Sequence, residues 1–331
     1  MGVGSNLLSM GVSSSVAIRN AIRSALVSAS AGDRILVGVS GGTDSLALAS
    51  GLFLESAEKA LQLVAVIIDH GLQENSDEVS NNAKLQLAKI GYNDIRIMKI
   101  QVAVTDGIEA SARRARYEAF NKLAEELNTK VFFLGHTKDD QAETVLLGLA
   151  RGSGTRSLSG MAEVNGIFVR PLLTITRAQT VAACAEWNLI PWQDPHNTNE
   201  KFTRVRVREN VMPNLEKEIG PGVAEALVRS ARLLRDDANA LDGWAAVEFS
   251  KFDPKDLDVT ELAKLPRAIR TRILRMAIYA VGAPVGSLTS EHIDPIEALI
   301  SAWHGQGASS LPGGVKVARI SGRLSLLARP N

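Results

Sequence analysis

Short apolar runs alternate with longer stretches of helical pattern from residue 34 to residue 150. Near-continuous apolar runs rich in β-branched residues indicate strands that are buried on both faces, and helices between them indicate a parallel sheet. Because the crossovers of such a sheet are right-handed, helices cover both faces, and we predict a doubly wound α/β domain. The predicted strands are Arg34–Val39, Gln62–Asp69, Asp94–Ile100 and Lys130–Gly135, and the predicted helices are Ser45–Ala57, Glu74–Ile90, Ile108–Leu127 and Asp139–Ala150.

The remainder of the chain predicts a smaller, mostly helical C-terminal domain. Amphipathic helical patterns cover residues 222–249 and 266–281, and the tail at 311–327 has the pattern of a strand, a turn and a strand. The expected parts are an N-terminal helical extension at 1–33, the α/β domain at 34–215, and the helical domain with its terminal strand pair at 222–331.

The composition is typical of a soluble protein of the cytoplasm. Of the 331 residues, 45% are hydrophobic and 22% are charged, and no apolar run is long enough to span a bilayer. The single cysteine, Cys184, excludes an internal disulfide and a cluster held by the chain alone. The histidines are scattered, so we expect no transition-metal site, whereas magnesium that arrives with a nucleotide is compatible with the sequence.

The segment SGGTDS, residues 40–45, follows the first predicted strand and opens a helix. Its glycines permit a tight turn with inward-facing N–H groups, and the helix N-terminus adds a partial positive charge, so the segment predicts a phosphate site. It lacks the GKS or GKT of a Walker A loop and the GxGxxG of a dinucleotide fold. Glycines chosen only for turn geometry are the alternative interpretation. The expected nucleotide-binding residues here are Ser40, Gly41, Gly42, Thr43, Asp44 and Ser45, with Asp44 as the magnesium ligand.

Further candidates follow two other predicted strands. Asp69 and His70 end the second strand, and Gly135 and His136 end the fourth. Ligands of open α/β sheets bind at the carboxyl ends of the strands, so we expect all four residues to join the nucleotide site. For Asp69 alone, a structural role in a turn or a helix cap is a competing interpretation.

An acidic pair begins the helix that follows the fourth strand. Asp140 and Glu143 are three residues apart, so their carboxylates share one helical face. Acidic residues at a helix start can simply offset the macrodipole, which is our interpretation of Asp139. At a ligand-facing strand end, the pair is better suited to an ammonium group, because a partly buried cation needs such partners.

The loop SGGTDS resembles the PP-loop of the ATP pyrophosphatase superfamily, whose fold is adenine nucleotide alpha hydrolase-like. Five blocks in order, over roughly residues 34–215, further resemble the tRNA(Ile)-lysidine synthase family. The blocks are SGGTDS at Ser40, IDHGL at Ile68, ASARRARYEAF at Ala110, GHTKDDQAETVLLGLARGSGTRSLSGM at Gly135, and RPLL at Arg170 leading to QDPHNTNEKFTRVRVRENVMP at Gln193. The α/β part would then be an ATP-binding catalytic domain.

The resemblance implies a ligase that uses ATP, Mg²⁺, L-lysine and tRNA(Ile) with a CAU anticodon. ATP would adenylate the C2 oxygen of the anticodon cytidine, and the lysine ε-amine would then displace AMP. By the motifs, Asp44 and the loop would bind magnesium and pyrophosphate, and Arg116 would stabilise charge on the phosphate or the developing oxyanion. Asp140 and Glu143 would hold lysine, with Arg208 near the lysine carboxylate or AMP.

Two positions depart from the family's pattern. Gln73 stands where the family usually carries arginine, which weakens one expected phosphate or RNA contact, and Val205 replaces an asparagine within RVRVR. Arginine clusters at 113–116, 151–156, 204–208 and 267–275 could follow RNA phosphates, including contacts of the C-terminal domain. Solvated helix faces are the alternative for the last cluster and for one or both of Arg113 and Arg114.

Other functions remain open at this point. A thiolase of the same superfamily, such as a tRNA 2-thiolase, would need a reactive thiol, and Cys184 lies within a helical pattern typical of a buried one. A non-catalytic tRNA-binding protein would bind tRNA without consuming ATP, which the intact SGGTDS disfavours. A small-molecule amide synthetase would release pyrophosphate without RNA. The sequence leaves the oligomeric state open, a homodimer included.

Overall fold

The computed structural model describes residues 13–69, 71, 76–101, 107–152, 154–192 and 200–328. The chain forms two compact units, of which the first ends at Arg232 and the second begins at Leu233. The boundaries predicted near residues 33 and 215–222 stay predictions. None of the helices in the described ranges is both long enough and apolar enough to cross a membrane.

The first unit is built on a six-stranded sheet with the order β3-β2-β1-β4-β6-β5. All neighbours are parallel except β5 and β6, and Leu36 in β1 pairs with Val64 in β2 on one side and with Phe132 in β4 on the other. This sheet confirms the predicted α/β fold. The strands are β1 (Arg34–Gly38), β2 (Gln62–Asp69), β3 (Asp94–Lys99), β4 (Phe132–Phe133), β5 (Val164–Asn165) and β6 (Phe168–Val169).

The helices of this unit include the four that were predicted after the strands, now α2 to α5. Two short irregular helices accompany them, a 3₁₀ turn at Pro171–Thr174 and a π turn at Val207–Val211. The helices are α1 (Ser14–Ala25), α2 (Thr43–Lys59), α3 (Ser76–Ile90), α4 (Ile108–Glu126), α5 (Lys138–Ala150), α6 (Thr155–Leu158), α7 (Arg177–Glu186), α8 (Thr203–Arg206) and α9 (Met212–Glu218).

Successive residues of β1 point into two different apolar layers, which is why the run is continuously apolar. Ile35 and Val37 pack with α1, α2 and α7 on one face of the sheet. Leu36 packs on the other face, where Phe120 and Phe132 contribute aromatic rings. All three β1 side chains are at most 1% exposed. The sheet is therefore covered on both faces, and its ligand-binding edge is left to the loops at the strand ends.

Helix α1 packs on α2, the helix that the phosphate loop opens. Ile18 and Ile22 are fully buried at this contact. Beside them, the buried carboxylate of Glu55 on α2 accepts hydrogen bonds from Arg19 at 2.6 Å and from Arg23 at 2.8 Å. These arginines hold the pKa of Glu55 below its ordinary value, although burial alone would raise it. Residues 14–25 thus help to fix the orientation of α2.

The second unit has its own apolar core and a four-stranded antiparallel sheet with the order β7-β10-β9-β8. The sequence predicted a strand pair at 311–327, where the structure has β9 and β10. It did not predict β7 and β8, because strands of three and two residues are too short to show alternation. The elements from the first residue of the long helix onward are α10 (Val223–Phe249), β7 (Asp256–Asp258), α11 (Val259–Ala263), α12 (Arg267–Ala280), α13 (Ser290–Ser301), β8 (Ser309–Ser310), β9 (Lys316–Ile320) and β10 (Arg323–Leu327).

Candidate active site

The loop between β1 and α2 is held by hydrogen bonds within the SGGTDS segment. The backbone N–H of Ser40 donates to Ser45 Oγ at 3.2 Å, and Ser45 Oγ donates to the carbonyl of Gly42 at 2.9 Å. Gly42 is the N-cap of α2 and supplies no side chain to the free N–H groups of the first turn. A helix of 17 residues therefore presents an uncapped N-terminus at the strand end, which is a suitable site for an anion.

Two glycines make this arrangement sterically possible. Gly41 has φ of +83°, a conformation that other residues rarely adopt, and its carbonyl accepts a hydrogen bond from Trp192 N at 2.9 Å. Gly135 at the end of β4 lies directly against the start of α2, and a Cβ there would stand 3.1 Å from the carbonyl oxygen of Asp44. The glycine of the GHTKDD block is thus required by the close approach of β4 to α2.

A cavity of about 940 Å³ opens at the carboxyl ends of β1, β2 and β4. Most of the predicted site residues line it, whereas Gly41 and Glu143 lie behind its wall, and His70 lies outside the described residues together with Gln73. The predicted residues that line it are Ser40, Gly42, Thr43, Asp44, Ser45, Asp69, Arg116, Gly135, His136, Asp140 and Arg208. Residues from all five sequence blocks therefore meet around one space.

Asp69 has a structural role at the rim of this cavity. The side chain is 4% exposed, and Oδ1 accepts a hydrogen bond from Gly71 N at 2.9 Å. That bond, with Ser76 and the more distant Lys99, holds the pKa of Asp69 below its ordinary value although burial opposes the shift. The carboxylate therefore fixes the turn after β2, as the competing interpretation expected, while it also lines the cavity.

Asp44 is the carboxylate of the SGGTDS segment itself. Thr180 Oγ1 donates to its Oδ1 at 2.5 Å, and Arg177 Nε lies 3.5 Å from its Oδ2. Burial raises the pKa of Asp44, and these two partners only partly oppose the shift. A cation beside Asp44 would therefore stabilise its ionised form. Within the described residues no group of three or more potential metal ligands occurs, so a magnesium ion here would take most of its ligands from phosphate and water.

Behind Asp44, the acidic pair of α5 lies among three arginines. Glu143 is 2% exposed and accepts hydrogen bonds at 2.8 Å from both Arg204 and Arg208. Arg177 Nη2 donates to Asp140 Oδ1 at 3.1 Å, and Arg177 Nη1 lies 3.6 Å from Glu143 Oε1. The acidic pair is thus neutralised by guanidinium groups of the chain itself.

Asp140 also caps the start of its own helix. Its Oδ2 accepts a hydrogen bond from the N–H of Thr137 at 2.8 Å, and its own N–H donates to Thr137 Oγ1 at 3.4 Å, which forms a capping box. Burial would raise the pKa of Asp140, but Arg177, Arg204 and the Thr137 backbone outweigh it and lower the pKa. Asp140 is therefore ionised at neutral pH and suited to hold a cation.

Arg177 is the main site residue that the motifs did not identify. It is the first residue of α7, where a positive charge opposes the helix macrodipole. Its backbone N–H donates to Asp139 Oδ2 at 2.8 Å, so the residue interpreted as a dipole cap of α5 also caps α7. A basic residue directly after an N-cap threonine is the signal that could have indicated a buried acidic partner.

The opposite wall of the cavity is basic. Arg116 lines it and has no hydrogen-bond or ion-pair partner among the residues that the structure describes, and burial next to Arg113 lowers the pKa of Arg116. Burial also lowers the pKa of His136 to about 3, so its imidazole is neutral. The nearby guanidinium of Arg170 is 4% exposed and contacts Tyr117 Oη at 3.4 Å. An unpaired, partly desolvated arginine on a cavity wall is suited to bind an anionic ligand.

Cys184 lies beneath the loop rather than in the cavity. Its Sγ donates to the carbonyl of Thr43 at 3.4 Å, and the side chain is 3% exposed. Burial, with Asp44 nearby, raises the pKa of the thiol to about 12. A thiol that stays protonated at neutral pH is a poor nucleophile, so this residue does not support sulfur transfer.

Comparisons with known proteins give matches in both the N-terminal and the C-terminal parts of the chain. A PP-loop domain family matches residues 15–215, and the TilS substrate binding domain family matches residues 257–325. The chain is 45% identical to the tRNA(Ile)-lysidine synthase of Thermobifida fusca over 94% of this chain and 97% of that protein. It is 46% identical to the tRNA(Ile)-lysidine synthase of Streptomyces coelicolor over 88% of this chain and 84% of that one.

A solved structure shows the same fold at low sequence identity. The U34-tRNA thiolase NcsA from Methanococcus maripaludis, with its 4Fe–4S cluster, matches with a TM-score of 0.57 and 19% identity. The match covers 66% of this chain and 78% of that one. At this identity the likeness extends to the fold alone.

Proposed function

The chain belongs to the tRNA(Ile)-lysidine synthase family, and on that premise we propose that it converts the wobble cytidine of tRNA(Ile) to lysidine. The enzyme is a ligase that forms a carbon–nitrogen bond. The C2 oxygen of cytosine attacks the α-phosphorus of ATP, and pyrophosphate leaves. The ε-amine of lysine then attacks C2, the bond from C2 to the adenylated oxygen breaks, and AMP leaves while the attacking nitrogen loses a proton.

One observation carries the proposal: the uncapped loop before α2 and Asp140 of the α5 acidic pair line the same cavity, with Glu143 directly behind its wall. The first is suited to a polyphosphate and the second to an ammonium group. A ligase that joins lysine to an adenylated base needs both groups close together, because the amine must reach the carbon that bears the AMP.

At the nucleotide end, the loop residues Ser40–Ser45 would hold pyrophosphate through N–H and hydroxyl groups. Asp44 would hold magnesium, and the raised pKa of this buried carboxylate supports the assignment, because a cation there relieves the desolvation of its charge. Bound magnesium would neutralise charge on the β- and γ-phosphates. Arg116, whose guanidinium is free in the described part of the chain, would stabilise negative charge at the adenylated oxygen.

At the lysine end, Asp140 and Glu143 would hold the ε-ammonium, and Arg208 would face the lysine carboxylate or AMP. A lysine amine attacks only after it has lost a proton, and a carboxylate close to the ammonium can accept that proton as the bond forms. The neutral imidazole of His136 would contribute a hydrogen bond to the nucleotide without adding charge.

The substrate would be tRNA(Ile) with a CAU anticodon, and the reaction would take place in the cytoplasm, where tRNA and ATP are available. The region 222–331 is proposed to contact the tRNA, which is supported by the match of residues 257–325 to a substrate binding domain. Deleting residues 222–331 should then weaken tRNA binding. Unchanged binding and selectivity after the deletion would remove this assignment while leaving the chemistry intact.

The direct test mixes the protein with magnesium ATP, labelled lysine and a tRNA(Ile) transcript with a CAU anticodon. We expect label in the RNA, and none when the anticodon cytidine is replaced by uridine. Release of pyrophosphate without label would move the search to another nucleophile. Asp44→Asn should abolish pyrophosphate release, whereas Gly243→Ala, in open space on α10, serves as the matched control.

A further inference from the structure

One guanidinium contacts carboxylates that belong to both ends of the proposed site. Arg177 Nε lies 3.5 Å from Asp44 Oδ2, on the nucleotide side. Arg177 Nη2 and Nη1 lie 3.1 Å from Asp140 Oδ1 and 3.6 Å from Glu143 Oε1, on the lysine side. These oxygens are the ones that an ε-ammonium would need. A cation of the chain itself therefore stands where the substrate cation is expected.

The position of Arg177 is fixed from two sides by neighbouring acidic residues of α5. Asp139 binds its backbone N–H and Asp140 binds its side chain. As the first residue of α7, the arginine lies where the helix macrodipole disfavours a cation, so these carboxylates offset an unfavourable location. Such a residue is held mainly by the acidic groups, and a ligand that changes their charge balance can release it.

The other two arginines differ from Arg177 in one respect. Arg204 and Arg208 contact Asp140 and Glu143, but within the described ranges only Arg177 also contacts Asp44. The three carboxylates and three guanidiniums balance in formal charge. Glu143 is 2% exposed beneath the guanidiniums, so an ammonium group reaches it only when one of them moves.

We propose that Arg177 couples nucleotide binding to lysine binding: its guanidinium, held on the acidic pair, occupies the position of the lysine ε-ammonium, and a bound triphosphate draws it out. The inference rests on the proposed function. Magnesium triphosphate in the loop still adds net negative charge beside Asp44, on the Nε side of Arg177, whereas Glu143 lies on the Nη1 side. The guanidinium then gains a stronger partner there and leaves the acidic pair to the substrate. Lysine binds tightly only after ATP, which orders the two steps.

The test measures lysine binding to the full chain by calorimetry, with and without a non-hydrolysable ATP analogue and magnesium. In the wild type we expect the analogue to tighten lysine binding by about 5- to 150-fold, the usual range of such couplings. Arg177→Gln should bind lysine more tightly than the wild type without the analogue, because the competing cation is gone. The ratio of the two affinities should then fall to about 1 for that variant.

Two further variants separate the effect of contacting both Asp44 and the acidic pair from the effect of the positive charge alone. Arg204→Gln removes the same charge from a group that does not contact Asp44, so lysine binding should tighten while the coupling ratio stays that of the wild type. Arg177→Lys keeps the charge but cannot reach three carboxylates at once, so the ratio should fall. If thermal denaturation shows that Arg177→Gln does not fold, Arg177→Lys takes its place in the test.

Weaker lysine binding in Arg177→Gln, an unchanged ratio in the Arg177 variants, or no coupling in the wild type would each overturn the inference. Failure of the proposed function looks different. If the wild type transfers no labelled lysine to the tRNA, the function itself is wrong. If transfer occurs and the ratio does not depend on Arg177, only the coupling role is wrong.

Discussion

Replacement of Gly135 by alanine should damage the site through a single methyl group. The added Cβ would stand 3.1 Å from the carbonyl oxygen of Asp44 and 3.2 Å from the Cα of Ser45, both of which are backbone atoms of α2. Ordinary contacts of a Cβ begin near 3.4 Å, so the start of α2 has to move by a few tenths of an ångström. Overpacking of this kind costs about 1–3 kcal/mol.

That energy cost appears either as a slower reaction or as a lower melting temperature. If the loop stays displaced in the folded protein, the rate of pyrophosphate release should fall by about 5- to 150-fold, the equivalent of 1–3 kcal/mol in a barrier. If the folded state itself is destabilised, the melting temperature should fall by about 2–4 °C for each kcal/mol in a unit of this size. Pyrophosphate release with saturating tRNA and thermal unfolding by circular dichroism measure the two effects.

The control is Gly243→Ala on α10, where a Cβ meets nothing within 4 Å and helix propensity favours alanine. We expect this variant to keep full activity and an equal or higher melting temperature. If Gly135→Ala behaves like the control in both assays, the contact between β4 and α2 does not position the phosphate loop, and the steric reasoning is refuted.

Three further predictions test other parts of the site. Cys184→Ala should keep lysine transfer, since the buried thiol stays protonated. Loss of lysine transfer in a variant that still folds would instead favour the alternative function of a tRNA 2-thiolase. Arg116→Gln should slow pyrophosphate release by about 10²-fold. The same replacement at the exposed neighbour, Arg113→Gln, should slow release less, and stopped-flow assays of pyrophosphate release measure both variants. Glu55→Gln should lower the unfolding free energy at pH 7 by about 1 kcal/mol, a figure discounted for the solvent around Arg19 and Arg23. Because the folded pKa of Glu55 is lowered, its contribution is present above the ordinary value of 4.5 and is lost as the pH falls below it, so urea midpoints of variant and wild type should converge in acid.

The main architecture was predictable because its sequence pattern is long. The run Arg34–Val39 is apolar at every position that enters either layer of the core, and this pattern repeats in the next strands with helices between them. β4 shows the limit, since only Phe132 and Phe133 are paired as a strand within the predicted 130–135. β5 to β8 have two or three residues each and carry no periodic signal.

The candidate site was predictable where a motif is continuous and not where it depends on tertiary pairing. The residues at 40–45 and at 135–143 are each contiguous, and the chemistry of their side chains is visible in the sequence. Arg177 comes from a third segment, where its place after an N-cap threonine is a weak signal, and its carboxylate partners are visible only in the folded structure. Glu143 was expected on the wall as a ligand, yet Arg204 and Arg208 cover it, and no local pattern encodes that depth.

The acidic pair and its arginines also determine the order in which segments of the nascent chain can pack during synthesis. Glu143 leaves the ribosome 65 residues before Arg208, an interval of about 3–13 s at the usual elongation rates. Until then, a carboxylate destined for full burial has none of its late partners, and burying it alone would be unfavourable. The nascent α/β domain should therefore keep α5 loosely packed until residues 204–208 have emerged, and a chain that stops short of them should remain open at the edge of the sheet where the candidate site lies.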